Sequence, residues 1–394
     1  MNINDAFIVA YGRSPIGKAN KGIFKDTWPD EYAAQVITGT LAKVPQLDST
    51  EIDDFLLGCA FPEAEQGMNM ARTVLLRAGL PESLPAATIN RFCSSGLQTI
   101  AMSANNIMAG QADVVLAGGV ESMSMVPMLG NILVANPYLM EHFPRFQATM
   151  GITAENVAEK YEVTRQEQDE FACESHQKAA RAQAAGRFDS QIVPIEAVKA
   201  TKRINGYPAK ETAIYFKDEG IRGDINVESL SKLKPVFKAG GSVTPGNSSQ
   251  MSDGAAMALL MSGKKVKSLG VKPLARFKGF AVAGVAPEYM GIGPIKAIPK
   301  VLKITGLSLK DIGLIELNEA FASQAIACIK ELGLNKDIVN VNGGAIALGH
   351  PLGCTGAFLT AKLLSEMKLR DVKFGMVSMC IGGGMGAAAI FEVV

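Results

Sequence analysis

A nucleophile, a base and an acid are all available in this chain at points where the backbone turns tightly. Cys93 stands in Asn90-Arg91-Phe92-Cys93-Ser94-Ser95-Gly96-Leu97, where an apolar strand ends and a helix begins. Free backbone N–H groups and the helix dipole stabilise a thiolate at such a point, and the small residues behind it leave room for a substrate. The competing reading is a core cysteine acting as a small hydrophobe. His350, one of three histidines, lies in Gly349-His350-Pro351-Leu352-Gly353 after Gly343-Gly344. A polar ring in a glycine-rich apolar segment needs a partner or a task. It either packs in the core or meets a ligand that the glycines let approach. Cys380 precedes Gly382-Gly383-Gly384, whose amides could form an anion nest beside an acid/base thiol; taken alone, it reads as a core cysteine before a turn. Asn318 either caps the helix that follows it or holds a water, and the two roles are compatible. His176 is expected to be solvated on a polar helix, and His142 to lie in a loop.

These residues need a scaffold. Strands are predicted at Ala6–Ala10, Asp54–Cys59, Ala86–Asn90, Asp113–Ala117, Ala255–Met261, Leu314–Leu317, Ile338–Asn342, Phe374–Cys380 and Ala387–Val393. Helices are predicted at Pro29–Leu41, Met68–Ala78, Leu97–Met108, Arg165–Arg187, Ala320–Glu331 and Thr355–Met367. Their alternation implies α/β layering. The stretch with Cys93 repeats in pattern around His350: strand, small-residue turn, helix, then a strand closed by glycines. Two similar halves facing a cleft are therefore expected, residues 1–120 with 247–270 and residues 271–394, with 121–246 as a more polar insertion.

The chain has 394 residues, 48% of them hydrophobic, and carries 39 basic against 38 acidic side chains. A net charge of +1 gives no field for nucleic acid or an anionic membrane. No apolar run reaches membrane-spanning length, and the first residues lack the pattern of a secretory signal. The six cysteines form no C-x-x-C pair, which fits a reducing cytoplasm. The last residues are no peroxisomal address. No ligand cluster supports a metal site. The Gly382 run is a weak dinucleotide match, because Ala387 takes the third glycine position and no helix follows.

Taken together, the Cys93 segment, Asn318-Glu319-Ala320-Phe321, Gly349-His350-Pro351-Leu352-Gly353-Cys354-Thr355-Gly356 and Cys380-Ile381-Gly382-Gly383-Gly384 resemble the thiolase family over nearly the whole chain. Met150-Gly151-Ile152-Thr153-Ala154-Glu155-Asn156 and Gly241-Ser242-Val243-Thr244-Pro245-Gly246-Asn247 also fit its insertion. The resemblance implies duplicated βαβαβαββ halves in an α-β-α-β-α layering with an inserted loop domain. It implies that Cys93 is acylated, that His350 takes its proton, and that Cys380 moves the proton of the acetyl-CoA α-carbon. His350 with a water held by Asn318 would bind the enolate oxygen, and the N–H groups of Cys93 and Gly382 a second oxyanion. Coenzyme A would be a co-substrate rather than a resident cofactor, touching Arg222, Phe237 and Ser249, with Met150 and Phe321 lining the acyl site. Thr149 and Cys354 favour a degradative 3-ketoacyl-CoA thiolase over a biosynthetic acetoacetyl-CoA enzyme. A homodimer or homotetramer is implied, with an enzyme of fatty-acid breakdown as a candidate partner. A noncatalytic acyl-CoA or lipid carrier and a nicotinamide-dependent oxidoreductase are the readings from other classes.

Overall fold

The computed structural model describes residues 5–204 and 207–394. In chain order its principal elements are β1 (Ala6–Arg13), α1 (Pro29–Leu41), β2 (Asp54–Gly58), α2 (Met70–Arg77), β3 (Ala86–Ile89), α3 (Ser95–Met108) and β4 (Val114–Ser122). Residues 123–251 then leave the sheet. They include α4 (Met150–Lys160), α5 (Arg165–Ala184) and a hairpin of β5 (Ile195–Ile204) and β6 (Tyr207–Tyr215). The chain returns as β7 (Ser252–Ser262), β8 (Ala275–Gly284), α6 (Gly293–Thr305), β9 (Leu314–Leu317), α7 (Ala322–Leu332), the single turn α8 (Ala345–Leu348), α9 (Leu352–Arg370), β10 (Phe374–Ile381) and β11 (Met385–Val393).

The duplication read from the sequence appears as strand order. The first half runs β3-β2-β4-β7-β1, with parallel pairs at the β3 end and antiparallel pairs at the β1 end. The second half runs β9-β10-β11-β8 with the same senses. The two meet where Phe7 and Ile8 pair with Arg276 and Ala275, so they form one mixed sheet.

Alternation along the strands makes the layers. Val115, Ala117, Ala256, Ala258 and Leu260 point one way, and Val377, Met379, Ala387 and Ala389 join them in one central core with α3 and α9. Val114, Leu116, Ala255, Met257 and Leu259 point the other way, onto α1 and α2. Ile315, Met376, Ala388 and Ile390 likewise pack on α6 and α7. A period of two on both faces is what strands buried on both sides require.

Two expectations change. The strand expected at 338–342 shrinks to one bridge, Ile315 with Val339. Asn340 takes over its pairing: its N–H donates to the Ile315 carbonyl at 2.9 Å, while its side-chain amide accepts from Leu317 N–H at 2.9 Å and donates to Leu317 O at 2.8 Å. Gly118 and Gly119 do not close β4 but lie inside it. A Cβ on Gly118 would strike the Ala256 carbonyl, and one on Gly119 would strike the Gly353 carbonyl at the start of α9. Glycine is there to let another backbone approach.

Candidate active site

Each chemically able side chain sits where an element of the duplicated core ends. Cys93 occupies a single 3₁₀ turn, Phe92–Ser94, just before α3. The turn is held by its neighbours. Asn90 Oδ1 accepts from Phe92 N–H at 2.8 Å, and Ser95 Oγ accepts from Arg91 N–H at 2.9 Å while donating to Phe92 O at 2.7 Å. Phe92 has φ of 43°, an unfavourable value for a bulky residue that these bonds fix.

The Cys93 thiol does not behave as a helix-activated thiolate. Burial pushes its pKa up to about 11, against the pull of the backbone N–H groups of Gly382 and of Cys93 itself. The helix dipole is visible in the sequence, whereas the desolvation depends on which surfaces close over the sulfur. The resting nucleophile is therefore a neutral thiol that needs a base. The two N–H groups that pull against burial come from different halves of the molecule.

His350 supplies a neutral imidazole. It lies between α8 and α9, is 5% exposed, and burial lowers its pKa to about 4. Its Nδ1 is 2.7 Å from Thr355 Oγ1, one turn into α9, and its Nε2 is 3.4 Å from Asn318 Nδ2. Asn318 Nδ2 is a donor only, so this geometry suits the tautomer with the proton on Nδ1 and the basic lone pair on Nε2. Asn318 follows β9 directly, and its N–H donates to Ser378 O, two residues before Cys380. Among the described residues its Oδ1 is buried without a protein partner, so it is free to accept an O–H from a water, which could in turn donate to a substrate oxygen.

Cys380 is fully buried near the end of β10, and burial raises its pKa well above the usual thiol value, with the Cys93 sulfur as the next contribution. It shares an apolar cluster with Met290, Ala320 and Phe321, against which Met150 packs. The β10–β11 turn follows, where Gly383 and Gly384 take φ of 79° and 84°. A Cβ on Gly382 would lie 3.9 Å from Met150 Sδ and 3.8 Å from the Phe92 ring. Phe237 stands edge-on to Phe321 at 6.3 Å. Ser249 N–H donates to Ala320 O at 2.9 Å. α9, starting two residues after His350, packs on the Cys93 turn. Cys93, Cys380, Gly382, Met150 and Phe321 thus gather on one spot, with His350 and Asn318 at its edge.

Arg222 lies farther out, exposed in the insertion. Beneath it is a residue the sequence reading misjudged. His176 is fully buried, not solvated; its Nδ1 accepts from Arg222 N–H at 3.2 Å, and burial with the Arg222 charge lowers its pKa to about 4. Its helix turns an inward face that the many charges around it obscured. His142 ends a short helix, Pro137–His142, rather than lying in a loop. Glu121, taken only as a segment boundary, is a buried carboxylate receiving N–H bonds from Ala60 and Gly353, each at 2.8 Å, and thereby pinning the start of α9.

Residues 6–264 match the model of the thiolase N-terminal domain and residues 271–393 that of the thiolase C-terminal domain. The chain belongs to the thiolase family, a family of acyltransferases. It is 53% identical over 391 residues to the 3-ketoacyl-CoA thiolase of Bacillus subtilis, covering 99% of this chain and 100% of that protein. Among solved structures it resembles the acetyl-CoA acetyltransferase of Bacillus anthracis, with TM-score 0.89, 42% identity and 99% of both chains covered. It resembles the dimeric peroxisomal thiolase of Saccharomyces cerevisiae equally, with TM-score 0.89, 42% identity, and 100% and 98% covered.

Proposed function

We propose that the chain cleaves 3-ketoacyl-CoA with coenzyme A, yielding acetyl-CoA and a shortened acyl-CoA. The observation that carries this reading is the meeting of the Cys93 turn, the buried thiol of Cys380 and the Gly382 turn on one spot, with Met150 and Phe92 against Gly382 and α9 packed on the Cys93 turn. In the first step His350 Nε2 takes the Cys93 proton, and the sulfur attacks the 3-keto carbon. The Cys93 and Gly382 N–H groups receive the oxyanion, a contribution worth about 3 kcal/mol per donor. The C2–C3 bond then breaks, leaving the acyl group on Cys93 and the electron pair on an acetyl-CoA enolate. Asn318, through a water, and the imidazole stabilise that enolate, and the neutral thiol of Cys380 protonates its carbon. In the second step Cys380, now a thiolate, takes the proton of the coenzyme A thiol, whose sulfur attacks the Cys93 thioester; Cys93 leaves as a thiolate and takes its proton back from His350, which resets all three groups. Thioester chemistry keeps every step reversible.

Full-length likeness to the Bacillus subtilis 3-ketoacyl-CoA thiolase supports the degradative substrate class and a place in fatty-acid breakdown. The 42% identity to an acetyl-CoA acetyltransferase over 99% of both chains keeps acetoacetyl-CoA synthesis as the second reading. The same Bacillus protein supports a cytoplasmic location, and the dimeric yeast relative supports a homodimer. Arg222, Phe237 and Ser249 hold the coenzyme, while Met150 and Phe321 line the acyl side. Mixing the protein with 3-ketoacyl-CoA of increasing chain length and resolving its mass is the test. A new acyl adduct on Cys93 at each length, released by coenzyme A, is expected; no adduct on Cys93 overturns the reading, and turnover confined to acetoacetyl-CoA favours the second one.

A further inference from the structure

His350 sits on a loop that one side chain outside the catalytic set secures. Gln250 Nε2 lies 3.0 Å from Gly220 O, 3.0 Å from Ile346 O and 3.1 Å from Ala347 O. Ile346 and Ala347 belong to α8, the one-turn helix that ends two residues before His350. Their carbonyls are the ones a helix end leaves without partners. The main chain of the same glutamine holds the histidine directly: Gln250 O accepts from His350 N–H at 3.1 Å. Ser252 Oγ accepts from that N–H at 3.2 Å and donates back to Gln250 O at 2.8 Å. Gly349, between helix and histidine, takes φ of 107°, so the loop has no regular structure to keep it in place.

The third carbonyl, Gly220, belongs to the insertion, two residues before Arg222. Gly220 is there because a Cβ would strike the Ala347 carbonyl. One donor nitrogen therefore joins the histidine loop, the lead into β7 and the insertion.

We propose that Gln250 is a positioning residue for His350: its side-chain amide holds the α8 end and the insertion at one distance, so that the imidazole meets Cys93 at the productive angle. The proposal rests on His350 acting as the base for Cys93, as argued above. A glutamine that merely filled space would tolerate a side chain of its own shape, whereas one that supplies donors would not. Gln250→Glu keeps the shape and turns an acceptor toward three carbonyl oxygens. Gln250→Met keeps the length and removes the donor.

The experiment uses the full-length protein and follows adduct formation on Cys93 with acetoacetyl-CoA by rapid quench and mass measurement across pH, beside the KM for coenzyme A and thermal unfolding. Gln250→Met is expected to slow acylation about tenfold and Gln250→Glu at least as much, with the KM for coenzyme A changed less than threefold. The acid limb of the acylation rate should move up in pH as solvent reaches the ring. If Gln250→Glu does not fold, Gln250→Met carries the comparison alone. Acylation at the normal rate in the Met variant, or a Glu variant faster than the Met variant, overturns the proposal. His350→Asn separates the two layers. If it abolishes acylation while the Gln250 variants acylate normally, only the positioning role fails. If it acylates normally, the base assignment fails and the positioning role goes with it.

Discussion

At the scale of single residues, the site is a set of neutral groups waiting for charge. Two thiols are pushed up by burial and an imidazole is pushed down by it, so no ion is held in the buried pocket until substrate arrives with an oxygen to carry it. On the proposed mechanism the two cysteines have separable jobs. Cys380→Ala should still take an acyl group from acyl-CoA onto Cys93, read by mass, while exchange of the acetyl-CoA methyl protons with D₂O falls by about a thousandfold. Cys93→Ala should lose both the adduct and thiolysis. Thr355 offers a finer test. Its hydroxyl holds the Nδ1 proton of His350, so Thr355→Val should cut kcat/KM about tenfold and Thr355→Ser should restore most of it, with unfolding temperatures within a few degrees of each other. Types and motif order single out Cys93, His350, Asn318 and Cys380 as candidates without any coordinates. The protonation states were not visible, because desolvation depends on which surfaces close over a group, and Gln250 was missed because a capping amide has no motif of its own.

At the scale of elements, α3 and α9 touch backbone to backbone. A Cβ on Gly96 would stand 2.8 Å from Gly353 O and 2.9 Å from Ala357 N, and one on Gly356 would strike Leu97 N. Gly96→Ala should therefore destabilise by about 3 kcal/mol or leave no folded protein. Gly110→Ala, at φ of 75° with open space around it, should cost only about 1 kcal/mol. Denaturant unfolding of the two variants measures the difference. Elements with one clean signal were legible: Pro29–Leu41 and Leu314–Leu317 match the expected spans. Where a side chain did the work of a strand, as Asn340 does, hydrophobic pattern suggested regular structure that a single amide replaces. Where glycine served packing, as in Gly118-Gly119, it looked like a turn.

At the scale of the whole molecule, buried histidines tie stability to acidity. His176 and His350 each stay neutral to about pH 4 in the folded chain, whereas an unfolded histidine takes its proton near pH 6.5. Their folded pKa values are depressed, so stability is complete above pH 6.5 and is lost as pH falls from there toward 4. Each residue should contribute a loss on the order of 1–2 kcal/mol by pH 5. His176→Gln, compared with the parent by urea unfolding at pH 7.5 and 5, should show a smaller acid penalty; an unchanged slope would falsify the assignment. The large segmentation into two like halves around an insertion was legible from repeated pattern. The joining of both sheets through Phe7 and Ile8 was not, since two residue pairs leave no mark on composition.

That joint, with the helix contact too close for a methyl group, has a mechanical consequence. The halves cannot swing apart as jaws do, because the opening would tear a shared sheet and separate backbones already in contact. Any opening for a bulky coenzyme and for two products is then expected on the side of the insertion rather than at the seam between the halves. Turnover should accordingly be limited by how that outer cover loosens and settles, while the sulfur and imidazole groups beneath it keep their places from one cycle to the next.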